Sequence, residues 1–152
     1  TTYTANYSAV PVSGNALTGA YFPRKDLTGT ALTRIDPTVN FSWAKGSPMA
    51  TIPADNFSVR WTGQVQPQFS GATTFYAAVD DGVRLWVNNV LVIDRWVNNA
   101  GEPSGTITLV GGQKYAIRME YFEKGNKAAA RLSWSNASQV KQVVPQGRLY
   151  SQ

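Results

Sequence analysis

Residues 78–89 read Ala-Val-Asp-Asp-Gly-Val-Arg-Leu-Trp-Val-Asn-Asn. After the glycine, apolar residues alternate with Arg84 and Trp86, which is the period-two pattern of a strand with one buried face. Asp-Asp-Gly is a turn sequence, and Asn-Asn favours a two-residue hairpin turn. The segment therefore predicts a strand, an acidic turn, a second strand and a hairpin turn at Asn88-Asn89.

The acidic turn places the carboxylates of Asp80 and Asp81 next to each other. Like charges this close repel, so a neighbouring group must offset them. A hard cation is the natural candidate, because calcium takes several oxygen ligands at about 2.3–2.6 Å. The alternative is that Asp-Asp-Gly serves only as a turn, and the tripeptide alone leaves both interpretations open.

Outward from this segment, the same alternation recurs along the chain and no window favours a helix. The predicted strands are residues 17–22, 32–35, 39–43, 57–65, 73–79, 83–87, 90–94, 106–110, 115–121 and 130–134. Residues 45–55, 95–104 and 135–141 are predicted loops. Short strands with turns every 8–12 residues are typical of an all-β antiparallel sandwich or barrel. We expect residues 1–16 to be a linker-like lead-in or an edge strand, and residues 17–152 to form the sandwich domain.

Composition excludes several functional classes. The 14 Lys and Arg residues outnumber 9 Asp and Glu, but no run of basic residues exceeds two, which argues against a nucleic-acid surface. The chain has no Cys and no His, so disulfides, thiol chemistry and zinc sites are excluded, and any metal site must use oxygen ligands. No apolar run reaches the length of a membrane span. The chain begins with Thr1, so we expect it to be part of a longer protein.

A catalytic role in glycoside hydrolysis is not predicted. That chemistry needs two carboxylates about 5–9.5 Å apart across a deep cleft. Asp80 and Asp81 are adjacent and, if they share an ion, neither is free to act as an acid. The chain is therefore predicted not to be an enzyme.

Eight blocks of sequence, in this order, resemble the PA14 domain. They are Leu-Thr-Gly-Ala-Tyr-Phe (17–22), Thr-Arg-Ile-Asp-Pro-Thr-Val-Asn-Phe (33–41), Phe-Ser-Val-Arg-Trp-Thr-Gly (57–63), Asp-Asp-Gly-Val-Arg-Leu-Trp-Val (80–87), Leu-Val-Ile-Asp (91–94) before Trp96, Glu-Tyr-Phe-Glu (120–123), Ala-Arg-Leu-Ser-Trp (130–134), and Val-Pro (144–145) before Leu-Tyr (149–150).

The resemblance implies an elongated β-sandwich that serves as a carbohydrate-binding module of secreted glycosidases, adhesins or cell-surface proteins. In the lectin-like members the Asp-Asp pair has a cis peptide and binds a calcium ion that contacts sugar hydroxyls, which here corresponds to Asp80 and Asp81. The family's second calcium loop would fall at residues 123–127. Glu123 would supply a carboxylate, and Gly125 and Lys127 would supply backbone carbonyls. Yeast adhesin members have Asn and Trp in that loop, where this chain has Glu and Lys.

Aromatic and amide side chains complete the predicted sugar site, because a sugar offers apolar C–H faces as well as hydroxyls. The candidates are Trp86, Trp96, Asn98 and Asn99. The alternatives are that Trp86 covers a sheet face, that Trp96 seals the core, and that the loop with both Asn residues is only solvated. A second group, Trp43, Trp61 and Trp134, alternates with polar residues and is predicted to lie in the core.

Two functional hypotheses follow. The first is a non-catalytic, calcium-dependent module that binds a glycan or polysaccharide, attached to other domains of a secreted or cell-surface protein and monomeric in itself. The second is a structural or protein-interaction module in which calcium only rigidifies the loops. Neither binds nucleic acid or inserts into a membrane.

Overall fold

The structure, a computed structural model, describes residues 15–151. The predicted lead-in therefore lies almost entirely outside the described residues. Within that range the chain forms twelve strands and a short 3₁₀ turn at Gln146–Arg148. The strands are β1 Leu17–Phe22, β2 Leu32–Asp36, β3 Asn40–Ala44, β4 Phe57–Val65, β5 Gly71–Asp80, β6 Gly82–Val87, β7 Val90–Arg95, β8 Ser104–Leu109, β9 Tyr115–Glu123, β10 Ala128–Asn136, β11 Gln139–Val143 and β12 Leu149–Tyr150.

The strands form two antiparallel sheets, which confirms the predicted sandwich. One sheet has the order β2-β1-β4-β9-β6-β7, with β12 paired to β4. The other has the order β11-β10-β5-β8, with β3 paired to β10. Neighbours in sequence are often not neighbours in a sheet, so most pairing is long-range. Among residues 15–151, no helix has the length and apolarity needed to cross a bilayer.

The core lies between the two sheets and is rich in aromatic rings. Trp61 and Trp134 are buried as predicted. Trp43 is only half-buried and packs against the core edge, where its ring stacks on Phe41 with centroids 4.9 Å apart. Each large apolar side chain buried here contributes about 1.5–3 kcal/mol. The core thus holds the two sheets face to face and fixes the loops at their ends.

Asp36 lies inside this core and accepts three hydrogen bonds. Tyr21 Oη donates at 2.6 Å, Trp61 Nε1 at 2.8 Å and Arg34 Nε at 2.7 Å. A Cβ on Gly19 would lie 2.6 Å from Asp36 Oδ2, so only glycine leaves room for the carboxylate. The predicted strand ends at residue 35, just before Asp36, and no local pattern indicates this buried network.

The hairpin turn and most strands agree with prediction. Asn88 and Asn89 both have positive φ, 54° and 62°, as a type I′ turn requires. The predicted loop at residues 135–141 is wrong. There β10 continues to Asn136, and β11 begins at Gln139 and pairs with β10. This edge strand is mostly solvated, so its sequence lacks the apolar alternation that marks a strand.

Candidate functional site

Two chain crossings between the sheets lie side by side at one end of the sandwich. The chain leaves one sheet with β5 and enters the other with β6, so it crosses at Asp80-Asp81. It crosses back between β9 and β10 through residues 124–127. The register pairs Gly82 with Phe122 and Asp80 with Ala129, so the two crossings are neighbours. Pairing of four strands thus brings together two segments more than 40 residues apart.

The acidic pair is held by a side-chain contact from β9 and a backbone contact from the second crossing. The Asp80–Asp81 peptide bond is cis. Tyr121 Oη donates to the Asp80 carbonyl at 2.6 Å, and the Lys124 N–H donates to Asp81 Oδ2 at 2.8 Å. Asp81 is only 6% exposed. Its carboxylate is therefore fixed in position, while Asp80 remains half-buried with its side chain facing a surface cleft.

Glu123 ends β9 beside this pair and is fully buried. Neither of its carboxylate oxygens accepts a hydrogen bond from an N–H or hydroxyl group of the described residues, and the polar group it approaches is the Asp55 carboxyl. Burial, and then the charges of Asp55 and Asp81, raise the pKa of the Glu123 carboxyl from 4.5 to about 8. An unpartnered buried carboxylate is costly, so this arrangement favours a cation or a proton at the site.

Asp55 is a member of this acidic group that sequence analysis missed. It lies just before β4, and the pairing of Phe57 with Glu123 places it at the same end of the sandwich. Its charge contributes to the raised pKa of Glu123. The predicted loop at residues 45–55 contained it, but no local motif marks it as part of a site. Only the β4–β9 register reveals the proximity.

The remaining predicted metal residues lie on either side of the acidic pair. Gly125 lines a depression of about 320 Å³ with Asp81 and Asn98. Lys127 lines the cleft beside Asp80. Burial, and then a hydrogen bond with Asp81 and its charge, raise the pKa of the Asp80 carboxyl, whereas the Lys127 ammonium lowers it. Across residues 15–151, no three Asp or Glu side chains form a metal site by themselves. A cation here would therefore also need backbone oxygens.

Trp96 lies close to the acidic site, and its ring is partly covered by neighbouring side chains. Its ring packs on Phe122 with centroids 4.7 Å apart, and the Arg84 guanidinium lies 3.9 Å from its ring centre. With Asn98 it lines a small pocket of about 190 Å³, and Asn98 also borders the depression next to Asp81. The structure thus brings Asn98 to the predicted site and places Trp96 at its edge.

Trp86 and Asn99 lie apart from the acidic pair. Trp86 is five residues beyond Asp81 along β6, which is about 16 Å in an extended strand. Its ring lies against the Arg118 guanidinium, 4.1 Å from the ring centre. The backbone and side-chain oxygens of Asn99 both accept hydrogen bonds from Arg95. Neither residue borders the depression beside Asp81 or the cleft beside Asp80.

Gly82 gives a first testable prediction. A Cβ at this position would lie 2.1 Å from Cε2 of Phe122. We expect Gly82→Ala to displace Phe122 and with it Trp96, lowering the free energy of unfolding by about 1–3 kcal/mol. Chemical denaturation followed by tryptophan fluorescence measures both effects. The matched control is Gly147→Ala, where a Cβ meets nothing within 4 Å. Equal stability of the two variants would show that Phe122 moves aside freely.

A sequence model described as the PA14 domain matches residues 13–148. The chain belongs to the PA14 domain family. The two-sheet architecture and the paired crossings described above are therefore those of a PA14 domain, and the resemblance read from the sequence is confirmed.

Relatives of this PA14 domain include parts of larger proteins. The anti-sigma-I factor RsgI3 of Acetivibrio thermocellus is 45% identical over 91% of this chain and 22% of its own length. An anti-sigma factor domain-containing protein from Clostridium clariflavum is 44% identical, with a TM-score of 0.87 over 93% of this chain and 48% of its own. The PA14 domain thus spans less than half of each relative.

The fold is also similar to that of a PA14 sugar-binding domain from an RTX adhesin. That structure gives a TM-score of 0.73 over 92% of this chain and 100% of its own, at 17% identity. At such low identity the similarity shows the fold alone.

Proposed function

We propose that this PA14 domain is a non-catalytic, calcium-dependent carbohydrate-binding module of a larger secreted or cell-surface protein. The proposal rests on the surroundings of the Glu123 carboxylate. This buried carboxylate accepts no hydrogen bond from an N–H or hydroxyl group of the described residues and lies beside the carboxyls of Asp55, Asp80 and Asp81. Buried charge of one sign without a partner is what an oxygen-lined cation site leaves when the cation is removed.

Oxygen donors of the kind calcium prefers are present, but no three carboxylates in residues 15–151 are placed to hold an ion on their own, so backbone carbonyls must complete the site. The side chains of Asp80, Asp81 and Glu123 would hold it, together with the backbone carbonyls of Gly125 and Lys127. Oxygen is the ligand atom calcium prefers, and the chain has no His or Cys to favour a transition metal. When bound, the ion supplies coordination sites for vicinal sugar hydroxyls.

The chain's own residues orient the sugar. The Lys124 N–H holds the Asp81 carboxylate in place, so the buried side of the site is preorganised. Asp80 borders the open cleft, where its carboxylate can accept hydrogen bonds from sugar hydroxyls. Asn98, which lines the neighbouring depression together with Asp81, supplies an amide that can both donate and accept.

The relatives support this proposal in two ways. One neighbour in fold is described as a sugar-binding domain, which is the activity proposed here. Relatives at about 45% identity are anti-sigma factors of which this domain is only a part. We therefore propose that the larger protein carrying this module is a secreted, cell-surface or regulatory protein. In each of these the module would recognise glycans.

The proposal is tested by calorimetric titration with calcium, followed by a glycan array with and without EDTA. We expect calcium binding and a glycan signal that EDTA removes. Asp81→Asn should weaken both, whereas Asp94→Asn, an exposed carboxylate on β7, should leave both unchanged. Calcium binding with a blank array would instead favour a structural or protein-interaction module with rigid loops. Absence of calcium binding would overturn the metal site.

The raised pKa of Glu123 predicts that calcium binding depends on pH. Below about pH 8 the ion-free protein holds a proton on Glu123, and that proton must leave before the carboxylate can bind a cation. Calcium affinity should therefore rise with pH up to about 8 and level off above it. Calorimetry near pH 7 in two buffers of different ionisation enthalpy should show release of close to one proton per ion. An affinity independent of pH between about 6 and 9 would contradict this role of Glu123.

A further inference from the structure

We propose that the cleft beside Asp80 is an extended subsite for a linear, acidic oligosaccharide. The inference rests on the proposed function, because it takes Asp80 as the place where one sugar residue is held. Beyond the sugar residue at Asp80, a second binding region lies on the outer face of the five-stranded sheet. This region has its own charge and its own residue that determines specificity.

The floor of the cleft consists of small side chains on three adjacent strands. In the register, Ala129 of β10 is paired with Asp80 of β5 and with Ser42 of β3. Ala78, two residues before Asp80, faces the same side of the sheet and also lines the cleft. Because these side chains are small, the sheet surface is depressed between the larger groups around it.

The size of the cleft suits several sugar residues rather than one. Its volume is about 730 Å³, within the range of ligand pockets of about 300–1,000 Å³. Neighbouring strands lie about 4.8 Å apart, so the floor from β5 to β3 is about 10 Å wide, enough for about two sugar residues beside the one at Asp80. The apolar methyl groups of the floor match the C–H faces of sugar rings.

One wall of the cleft is fixed by backbone hydrogen bonds. Gly101 donates to the Val79 carbonyl at 3.0 Å and accepts from the Val79 N–H at 2.9 Å. Glu102 follows, and its carboxylate pairs with Lys141 at 2.9 Å. The wall is therefore held in place before a ligand arrives, which lowers the entropic cost of binding.

The charges of the cleft favour an acidic ligand. Lys127 and Arg131 both line it, and neither forms an ion pair within the described part of the chain. The negative charge of Glu102 is already matched by Lys141. Arg131 is exposed, and its planar guanidinium can bind a carboxylate through two parallel hydrogen bonds. With Asp80 directed to a cation, the cleft retains a net positive charge.

The position of Arg131 assigns the carboxylate to a particular sugar residue. In the register Arg131 is paired with Ala78 on one side and Asn40 on the other. It thus lies two residues along β10 from Ala129, the partner of Asp80, at the border of the small-residue floor. The uronate residue of the ligand should therefore be a neighbour of the sugar held at Asp80, not that sugar itself.

The experiment is a glycan array, in calcium, of linear oligosaccharides of one to six residues, each backbone presented in neutral and in uronate-containing form. The strongest series is then titrated by calorimetry as a function of length. We expect uronate-containing members to bind best, and affinity to rise at least about tenfold from one residue to three. Arg131→Gln should remove most of that gain and leave calcium affinity unchanged, which also shows that the variant is folded.

Two further variants separate the possible outcomes. Ala129→Leu fills the floor and should reduce binding of trisaccharides but not of monosaccharides. Arg148→Gln removes an arginine of the 3₁₀ turn near Gln66, at the opposite end of β4 from Phe57, and should have no effect. Calcium-dependent binding without a gain with length, or without a preference for uronates, overturns the extended subsite and leaves the proposed function intact. Calcium binding with no glycan signal at all overturns both.

Discussion

Replacing Glu123 by glutamine is expected to weaken calcium binding by about a hundredfold or more, because the change removes one of three charged ligands. The same change is expected to stabilise the calcium-free protein. Glu123 contributes stability that is lost as pH rises through its pKa of about 8, since the buried carboxylate then carries an unpartnered charge. A neutral amide of the same shape avoids that cost and can donate to Asp55 or Asp81.

The measurement is thermal unfolding in EDTA and in calcium near pH 9, where the wild-type carboxylate is ionised. In EDTA the variant should melt about 2–4 °C above the wild type, which corresponds to about 1 kcal/mol. In calcium the order should reverse. Asp94→Asn provides the control, because it removes an equal charge from an exposed position on β7. A variant that is less stable than the wild type in EDTA would show that Glu123 has a structural partner instead.

Replacing Asp36 by alanine is expected to lower the free energy of unfolding by about 3–5 kcal/mol, one of the largest losses from any single polar substitution in this domain. The carboxylate accepts hydrogen bonds from Tyr21, Trp61 and Arg34, and it is only 2% exposed. Its removal leaves two buried donors and one half-buried cation without their partner. The acidic site lies on other strands, so calcium affinity should not change.

Urea denaturation of the Asp36→Ala protein measures this loss, and Asp26→Asn is the matched control. Asp26 is an exposed carboxylate whose hydrogen bond comes from the nearby Thr28 hydroxyl. We expect that control to unfold within about 0.5 kcal/mol of the wild type. A loss below about 1 kcal/mol for Asp36→Ala would mean that water replaces the carboxylate among the three donors.

Part of the candidate site was predictable because it is local in sequence. Asp80 and Asp81 are adjacent in a turn, so their mutual repulsion and their need for a counter-charge follow from the local sequence alone. Glu123 was assigned through the family resemblance, and the structure shows the same residue buried beside the pair. Asp55 was missed, because its contribution depends on the pairing of β4 with β9, which no local pattern encodes.

Aromatic residues show the same limit. Alternation with polar neighbours correctly placed Trp61 and Trp134 in the core, since a strand buries one face. Nearness in sequence to the acidic turn suggested Trp86 as a sugar contact. An extended strand, however, carries Trp86 about 16 Å along β6 from Asp81. Periodicity reports which face a residue occupies, but not which end of the sheet it shares with other segments.

The order of residues is enough to predict the all-β class, the positions of most strands, the acidic turn, the Asn-Asn hairpin and the family. These depend on residues within a few positions of each other, where alternation and turn preferences act directly. Tertiary structure alone decided that Asp36 would be buried, that β11 would form at a polar edge, and that an uncharged floor would separate Asp80 from Arg131. Each of these depends on long-range strand register, which sets the partners of a residue through backbone pairing and not through its own side chain.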